Sequence, residues 1–277
     1  MSIIESVKNT AFTAAVNMAL NYLEKDPETN IPKAMNLIDK ALPDGWYESQ
    51  RAAFRKAIDE KGNWYELILK AYQLDTGVRK TLFQNFIINS ALKGGAIQEE
   101  MREKEKCNVP WAILLDPTSA CNLHCTGCWA AEYGHQLNLS LETIDSIVKQ
   151  GKKLGTYMYI YTGGEPLVRK QDLIKICEMN PDCEFLSFTN GTLIDEEFCQ
   201  EMLRVKNFVP AISLEGFEDA NDGRRGDGVF QKVQHAMKLL KSHKLPFGIS
   251  TCYTSRNFED ISSEAFYDMM IESGALF

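Results

Sequence analysis

The sequence predicts an α/β fold built on a parallel sheet and preceded by an all-helical segment. Two observations carry this prediction. After about residue 110, five short apolar runs with strand character alternate with amphipathic helical patterns. Such alternation is typical of parallel strands joined by right-handed crossovers. Before that point, apolar residues recur at steps of three and four, which is the period of a helix.

The helical segment is expected to form a domain over residues 1–106. Helices are predicted over residues 4–22, 30–43, 46–61, 63–75 and 78–92. Glycines separate the later helices, and the pair Gly94-Gly95 is expected to end the last one. Residues 99–106 are all charged except Met101, which is typical of a solvated helix end or a linker. We therefore place the domain boundary here and expect a second domain over 107–277.

The second domain is expected to consist of five strand–helix units. Strands are predicted over 112–115, 157–161, 185–188, 209–214 and 247–253, and helices over 140–154, 170–179, 195–206, 229–243 and 260–273. Five units indicate a barrel-like or open sheet, in which reactive groups gather at the carboxyl ends of the strands. The sequence stops at Phe277, where a sixth strand is expected to begin.

Composition and charge exclude several classes of protein. Of the 277 residues, 44% are hydrophobic and 25% are charged, which argues against a disordered or membrane-spanning chain. The net charge is −8 without a cluster of Lys and Arg, so no stable binding to nucleic acid is expected. Charges interrupt the apolar residues at the N-terminus, so we expect no signal peptide and a cytoplasmic location.

Three of the eight cysteines form a closely spaced triplet directly after the first predicted strand. Cys121, Cys125 and Cys128 can converge from one loop on a single metal centre. One possibility is a [4Fe–4S] cluster with one iron left open, and another is zinc with His124 or His135 as the fourth ligand. The other cysteines are expected to be small apolar residues and not ligands; they are Cys107, Cys177, Cys183, Cys199 and Cys252.

Polar groups also follow the next three predicted strands. The second strand ends in Thr162-Gly163-Gly164-Glu165-Pro166, where glycines let the backbone approach a ligand and Glu165 offers a carboxylate. Asn190 follows the third strand, in what could equally be a plain Asn-Gly turn. Ser213 and Glu215 follow the fourth, and an arginine-containing segment with Arg225 comes after them.

The triplet and the Gly-Gly-Glu-Pro turn resemble those of the radical S-adenosylmethionine (radical SAM) superfamily over about residues 110–277. The resemblance implies a partial (β/α)6 TIM-like barrel, truncated here at its sixth strand, with a [4Fe–4S] cluster on Cys121, Cys125 and Cys128. It also implies a set of residues that bind S-adenosylmethionine: Gly163, Gly164, Glu165, Pro166, Asn190, Ser213, Glu215 and Arg225. One departure is Gly127, which stands where the family usually has an aromatic residue, while Trp129 follows Cys128.

The activity implied by the resemblance is radical chemistry, of an oxidoreductase or a transferase. A ferredoxin or flavodoxin would supply an electron, S-adenosylmethionine would be cleaved to a 5′-deoxyadenosyl radical, and the radical would abstract hydrogen from a substrate that the sequence does not identify. Two alternatives stay open at this point. One is a binding module stabilised by zinc or a cluster, and the other is an inactive, incomplete derivative of a radical SAM protein.

Overall fold

The structure is a computed structural model that describes residues 21–41, 48–134 and 136–277. The predicted helix over 4–22 therefore lies almost wholly outside the described residues, as does His135. The chain divides into two compact units, Met1–Lys80 and Thr81–Phe277. None of the described helices combines the length and the apolar composition needed to cross a membrane.

The described part of the first unit is helical. Its helices are α1 (Pro27–Ala41), α2 (Glu48–Asp59), α3 (Asn63–Ala71) and α4 (Thr76–Leu82), the last of which spans the division between the units. α1 begins three residues before the predicted start, because Asp26 accepts a hydrogen bond from the Thr29 N–H group and proline suits a first helical position. One cluster of buried residues in the described part of this unit consists of Ile31, Met35, Ile58 and Tyr65.

The second unit is built on a five-stranded parallel sheet. Its strands are β1 (Ala112–Leu115), β2 (Met158–Tyr161), β3 (Glu184–Thr189), β4 (Phe208–Ser213) and β5 (Gly248–Ser250). Strand order in the sheet follows chain order, so each connection crosses to a neighbouring parallel strand. Leu276 N–H donates to Phe247 O, and Ile249 N–H donates to Phe277 O, so residues 276 and 277 lie alongside β5. The predicted α/β class is confirmed, and closure of the sheet toward a (β/α)6 barrel stays a prediction.

Helices precede, connect and follow the strands, and most of them lie close to the predicted positions. They are α5 (Gly95–Glu105), α6 (Leu141–Lys153), α7 (Lys170–Met179), α8 (Glu196–Val205), α9 (Glu218–Arg225), α10 (Val229–Ser242), α11 (Phe258–Ile261) and α12 (Glu264–Ser273), with 3-10 turns at Trp129–Tyr133 and Pro166–Arg169. Sequence analysis missed α9, because its residues are nearly all polar and show no apolar period. This helix ends with the two arginines Arg224 and Arg225.

A continuous helical stretch precedes β1. A π-helix, Phe83–Gly94, leads directly into α5, so Gly94 does not end the helix as the sequence predicted. The reason for the glycine is close packing: a Cβ atom at Gly94 would lie 2.3 Å from Gly155 O, in the loop before β2. In the same contact, the Gln98 side-chain amide donates to Gly155 O at 2.8 Å. These helices therefore pack against the end of the sheet where the strands begin.

We expect Gly94→Ala to destabilise the protein by about 2 kcal/mol, because a backbone oxygen occupies the space that the methyl group needs. Gly95→Ala is the matched control, since no atom lies within 4 Å of a Cβ at that position. Alanine favours a helix over glycine by up to about 1 kcal/mol, so the control should be neutral or stabilising. Urea denaturation of the two full-length variants measures the difference. Equal midpoints would show that Gly94 is not constrained.

The compact units divide at Lys80, whereas sequence analysis placed the domain boundary after Lys106. Residues 81–105 belong to the second unit because their polar side chains bind its loops. The Asn85 side-chain amide, for example, donates to Pro181 O and Cys183 O at 3.0 and 2.9 Å. A separately folding helical domain over 1–106 stays a prediction.

Candidate active site

A cavity of about 310 Å³ lies at the carboxyl ends of the five strands, where the sequence predicted the chemistry. The predicted site residues that line it are Cys121, Cys125, Cys128, Gly163, Gly164, Glu165, Asn190, Ser213 and Arg225. Two other predicted residues, Pro166 and Glu215, are buried and do not line this cavity. The structure therefore brings most of the predicted set together around one space.

The three cysteines lie on the loop that follows β1, residues 116–128, which we call the cysteine loop. Two carbonyl groups of this loop, Thr118 O and Ala120 O, accept hydrogen bonds at 2.9 and 2.8 Å from backbone N–H groups of the loop after β2. On its other side, Thr126 N–H donates to Arg224 O at 2.8 Å. Backbone contacts on both sides thus position the loop, and its three thiols line the cavity.

The two glycines after β2 allow this turn to pack closely against the cysteine loop. A Cβ atom at Gly164 would lie 2.2 Å from Ala120 O, and one at Gly163 would lie 2.7 Å from Thr118 O. Gly163 also has φ of 104°, a conformation that favours glycine. The glycines therefore let the backbone approach the cysteine loop and couple this turn to it. Their predicted approach to a ligand stays a prediction.

Glu165 is buried between the ends of β2 and β3, with only 1% of its surface exposed. Its Oε1 accepts hydrogen bonds from Leu167 N–H at 2.9 Å and from the Thr189 hydroxyl at 2.6 Å, and its Oε2 accepts one from Asn190 N–H at 2.7 Å. Burial raises the pKa of Glu165, and these hydrogen bonds oppose the rise. The side chain therefore holds the ends of β2 and β3 together, and Oε2 retains one acceptor position.

Asn190 connects the end of β3 to the cysteine loop. Its side-chain amide donates to Asn122 Oδ1 at 2.8 Å, and the Asn122 amide donates to the Thr192 hydroxyl at 2.9 Å. The Thr192 hydroxyl in turn donates to Asn190 Oδ1 at 2.7 Å, which closes a ring of three side chains. Sequence analysis proposed Asn190 as a ligand-binding residue. The observed ring shows that it also fixes the loop segment between Cys121 and Cys125.

Glu215 is fully buried and binds protein groups with both carboxylate oxygens. Its Oε1 accepts hydrogen bonds from Arg224 and from Arg225, whose Nε lies at 3.0 Å. Its Oε2 accepts one from Cys252 N–H at 2.9 Å. The sequence suggested that Glu215 contacts the cosubstrate. In the structure it orients the two arginines at the end of α9, and a contact with the cosubstrate stays a prediction.

The cavity also contains residues that sequence reasoning did not assign to the site. Arg224 lines it beside Arg225, and so do Trp129, Phe188 and Cys252. Arg224 directly precedes Arg225 at the end of a helix, so the doubled arginine is the signal that could have indicated it. Cys252 lies just beyond β5, and its position at a strand end could have marked it too. Aromatic rings and arginines together give the cavity both apolar walls and positive charge.

Burial and positive charge act in opposite directions on the thiols of the cysteine loop. Burial raises the pKa of Cys121 and Cys125, and Arg225 and Arg224 oppose the rise at Cys125. Thiols with raised pKa values release protons when a metal binds, because the thiolate is the ligand. Positive charge beside the cavity stabilises the thiolates that result.

The arrangement of the cysteines fits an iron–sulfur cluster. Among residues 21–41, 48–134 and 136–277, no three His, Cys, Asp or Glu side chains are placed to hold one metal ion together. A cluster needs a wider arrangement, because each thiolate binds a different iron. Three cysteine thiols around a single cavity meet that need. Of the histidines considered for zinc, His124 does not line the cavity, and His135 lies outside the described residues.

Comparison with known proteins establishes the family. A family model for the Radical SAM superfamily matches residues 115–265, which is more than half of the chain. The chain belongs to the Radical SAM superfamily. The matched range contains the cysteine loop, the Gly-Gly-Glu-Pro turn and all five strand ends, so the resemblance seen in the sequence is confirmed.

Named relatives and solved structures support the same relationship for this radical SAM protein. An AdoMet-dependent heme synthase of Methanosarcina barkeri is 27% identical over 175 residues, which are 61% of this chain and 49% of that protein. A structure of histidine-tagged anSMEcpe with bound AdoMet is 26% identical, with a TM-score of 0.50, and the match covers 58% of this chain and 48% of that one. SuiB of Streptococcus suis bound to S-adenosylmethionine shares the fold at 22% identity and a TM-score of 0.56, over 66% of this chain and 43% of that one. The chain spans about half the length of the curated relatives it matches.

Proposed function

We propose that this radical SAM protein is an enzyme that cleaves S-adenosylmethionine reductively and acts on a substrate not yet identified. The observation that carries the proposal is that Cys121, Cys125 and Cys128 share one cavity with the turn after β2 and with Arg225. Membership of the superfamily and the AdoMet-dependent relative support it.

The three cysteines would hold a [4Fe–4S] cluster. When bound, the cluster would supply the electron that cleaves S-adenosylmethionine, and the resulting 5′-deoxyadenosyl radical would abstract hydrogen from the substrate. The electron would come from a ferredoxin or flavodoxin in the cytoplasm. The residues of this chain supply the orientation of the cosubstrate and the exclusion of water.

The cavity offers complementary groups to the cosubstrate. The Arg225 guanidinium can bind its carboxylate through Nη1, since Nε and Nη2 donate to Glu215. The remaining acceptor position of Glu165 suits the amino group. Asn190 and Ser213 offer polar contacts at the ends of β3 and β4, and Phe188 forms part of the apolar wall. Pro166 and Glu215 would support these groups from outside the cavity, because neither residue lines it.

The proposal is tested by anaerobic reconstitution of the full chain with iron and sulfide, followed by reduction with dithionite. We expect about four irons per chain, an EPR signal that changes when S-adenosylmethionine is added, and formation of 5′-deoxyadenosine. The spectral change reports binding, and the nucleoside reports cleavage. One zinc ion with no iron or sulfide would instead favour the zinc-stabilised binding module, and a loaded protein that forms no 5′-deoxyadenosine would contradict the proposed activity.

A further inference from the structure

Two arginines line the same cavity as the three cysteines, and both donate hydrogen bonds to a single carboxylate. The guanidinium groups of Arg224 and Arg225 donate to the same oxygen of Glu215, which is fully buried. Both arginine side chains are themselves mostly buried, with 21% and 11% of their surfaces exposed. Charges removed from water in this way interact more strongly with their neighbours than charges on the surface.

The position of the arginines relative to the cysteine loop is fixed by the backbone. Arg224 O accepts a hydrogen bond from Thr126 N–H, and Thr126 lies between Cys125 and Cys128. Both arginines line the cavity that the three cysteines line, and the charges of both act on the Cys125 thiol. Glu215 also binds Cys252 N–H, and the Asn257 side-chain amide donates to Glu215 O at 2.8 Å. The carboxylate that orients the arginines is thus fixed by the loop after β5.

We propose that Arg224 and Arg225, oriented by Glu215, raise the reduction potential of the cluster bound by the three cysteines. This inference rests on the proposed function, because it requires the cluster. On reduction, the cluster gains one electron from the ferredoxin or flavodoxin donor, which loses one, and no proton need move. The reduced form carries one more negative charge, so nearby positive charge stabilises it more than the oxidised form. Net charge near a cluster is one of the factors that set its potential.

The proposal distinguishes these arginines from groups that only bind the cosubstrate. An arginine that served solely to bind a carboxylate would affect the affinity for S-adenosylmethionine and leave the potential of the cluster unchanged in its absence. An arginine that served solely as structure would be replaced poorly by lysine and by glutamine alike. A role that depends on charge makes lysine, which keeps the positive charge but not the fork of donors, a better replacement than glutamine, which keeps neither.

The test is a redox titration of the reconstituted full chain, followed by EPR and carried out without S-adenosylmethionine. The variants are Arg224→Gln, Arg224→Lys, Arg225→Gln and Arg225→Lys. We expect a more negative midpoint potential in both Gln variants and, at each position, a potential in the Lys variant that lies closer to that of the unsubstituted protein than the potential of the Gln variant does. Arg204→Gln is the matched control, because it removes one positive charge from a surface helix, where Arg204 pairs with Glu201. It should leave the potential unchanged.

The result that would overturn the proposal is the same potential in the Gln and Lys variants of each position, or a shift in the Gln variants no larger than that in the Arg204 control. EPR reports only protein that carries a cluster, so incomplete loading of a variant does not alter its measured potential. Each position has its own Gln and Lys pair, so one well-folded pair is sufficient. If the unsubstituted protein binds no iron and sulfide, the proposed function itself fails, and chemical analysis shows this before any titration.

Discussion

Cys125→Ser is expected to lose most of the bound iron and to reduce formation of 5′-deoxyadenosine by more than about 100-fold. Residues that only orient metal ligands typically change affinity or activity by about 10- to 100-fold when mutated, so removal of a ligand should cost more. Cys125 lines the cavity with the other two cysteines. The positive charges of Arg224 and Arg225 oppose the rise that burial causes in the pKa of its thiol. Iron and sulfide analysis after anaerobic reconstitution, together with chromatographic detection of the nucleoside, measures both effects.

Two control variants separate loss of a ligand from general loss of a thiol. Cys107→Ser changes an exposed residue outside the cavity and should retain iron and activity. Cys252→Ser is the stricter control, because Cys252 lines the cavity but is not expected to be a ligand. Retention of iron in this variant would support three ligands. Full iron content in Cys125→Ser, or loss of iron in Cys252→Ser equal to that in Cys125→Ser, would contradict the proposed ligand set.

The location of the site could be predicted from the sequence because strand patterns and parallel topology determine it together. Five apolar runs predicted five strands, and each predicted polar motif followed one of them in the chain. Carboxyl ends of parallel strands meet at one edge of the sheet. For this reason Cys125, Gly164, Asn190 and Ser213 line one cavity although they are far apart in the sequence.

The roles of the carboxylates could not be predicted in the same way. Glu165 and Glu215 follow strands and look like ligands in the sequence, but burial determines what each can bind. A buried carboxylate must be paired with donors from its surroundings, since an unpaired buried charge is costly. Glu215 finds its donors on α9, a helix without an apolar period, and on the loop after β5. Which donors a buried carboxylate meets depends on the tertiary structure. The composition and spacing of the residues around it in the sequence do not predict these donors.

The role of Gly94 was misread for a related reason. A glycine pair after a helical pattern usually marks a helix end, so the sequence predicted one there. In the structure the helix continues, and the glycine is required because Gly155 O approaches its Cα from another part of the chain. The local signal is the same in both cases. Only the position of Gly155 after folding separates a helix end from a close contact.

One buried carboxylate lies away from the candidate site, at the opposite end of the sheet. Glu184 is the first residue of β3 and pairs with Met158 of β2, and 1% of its surface is exposed. Neither of its carboxylate oxygens has a hydrogen-bond partner among the described residues. The neighbouring Asn85 amide donates to two backbone carbonyl groups instead. Burial raises the pKa of Glu184 from 4.5 to about 8.

This residue should make the stability of the protein fall as pH rises from about 4.5 to about 8. In that range the unfolded chain ionises Glu184 while the folded protein keeps it protonated, so unfolding releases a proton and higher pH favours the unfolded state. Glu184→Gln mimics the protonated side chain and should be more stable than the unsubstituted protein at pH 8 by several kcal/mol, since each pKa unit corresponds to about 1.4 kcal/mol. The two proteins should be alike near pH 4.5. Urea denaturation across this pH range measures the effect, with the exposed Glu197→Gln as control. Parallel pH profiles for the Glu184→Gln and unsubstituted proteins would show that Glu184 ionises normally in the folded state.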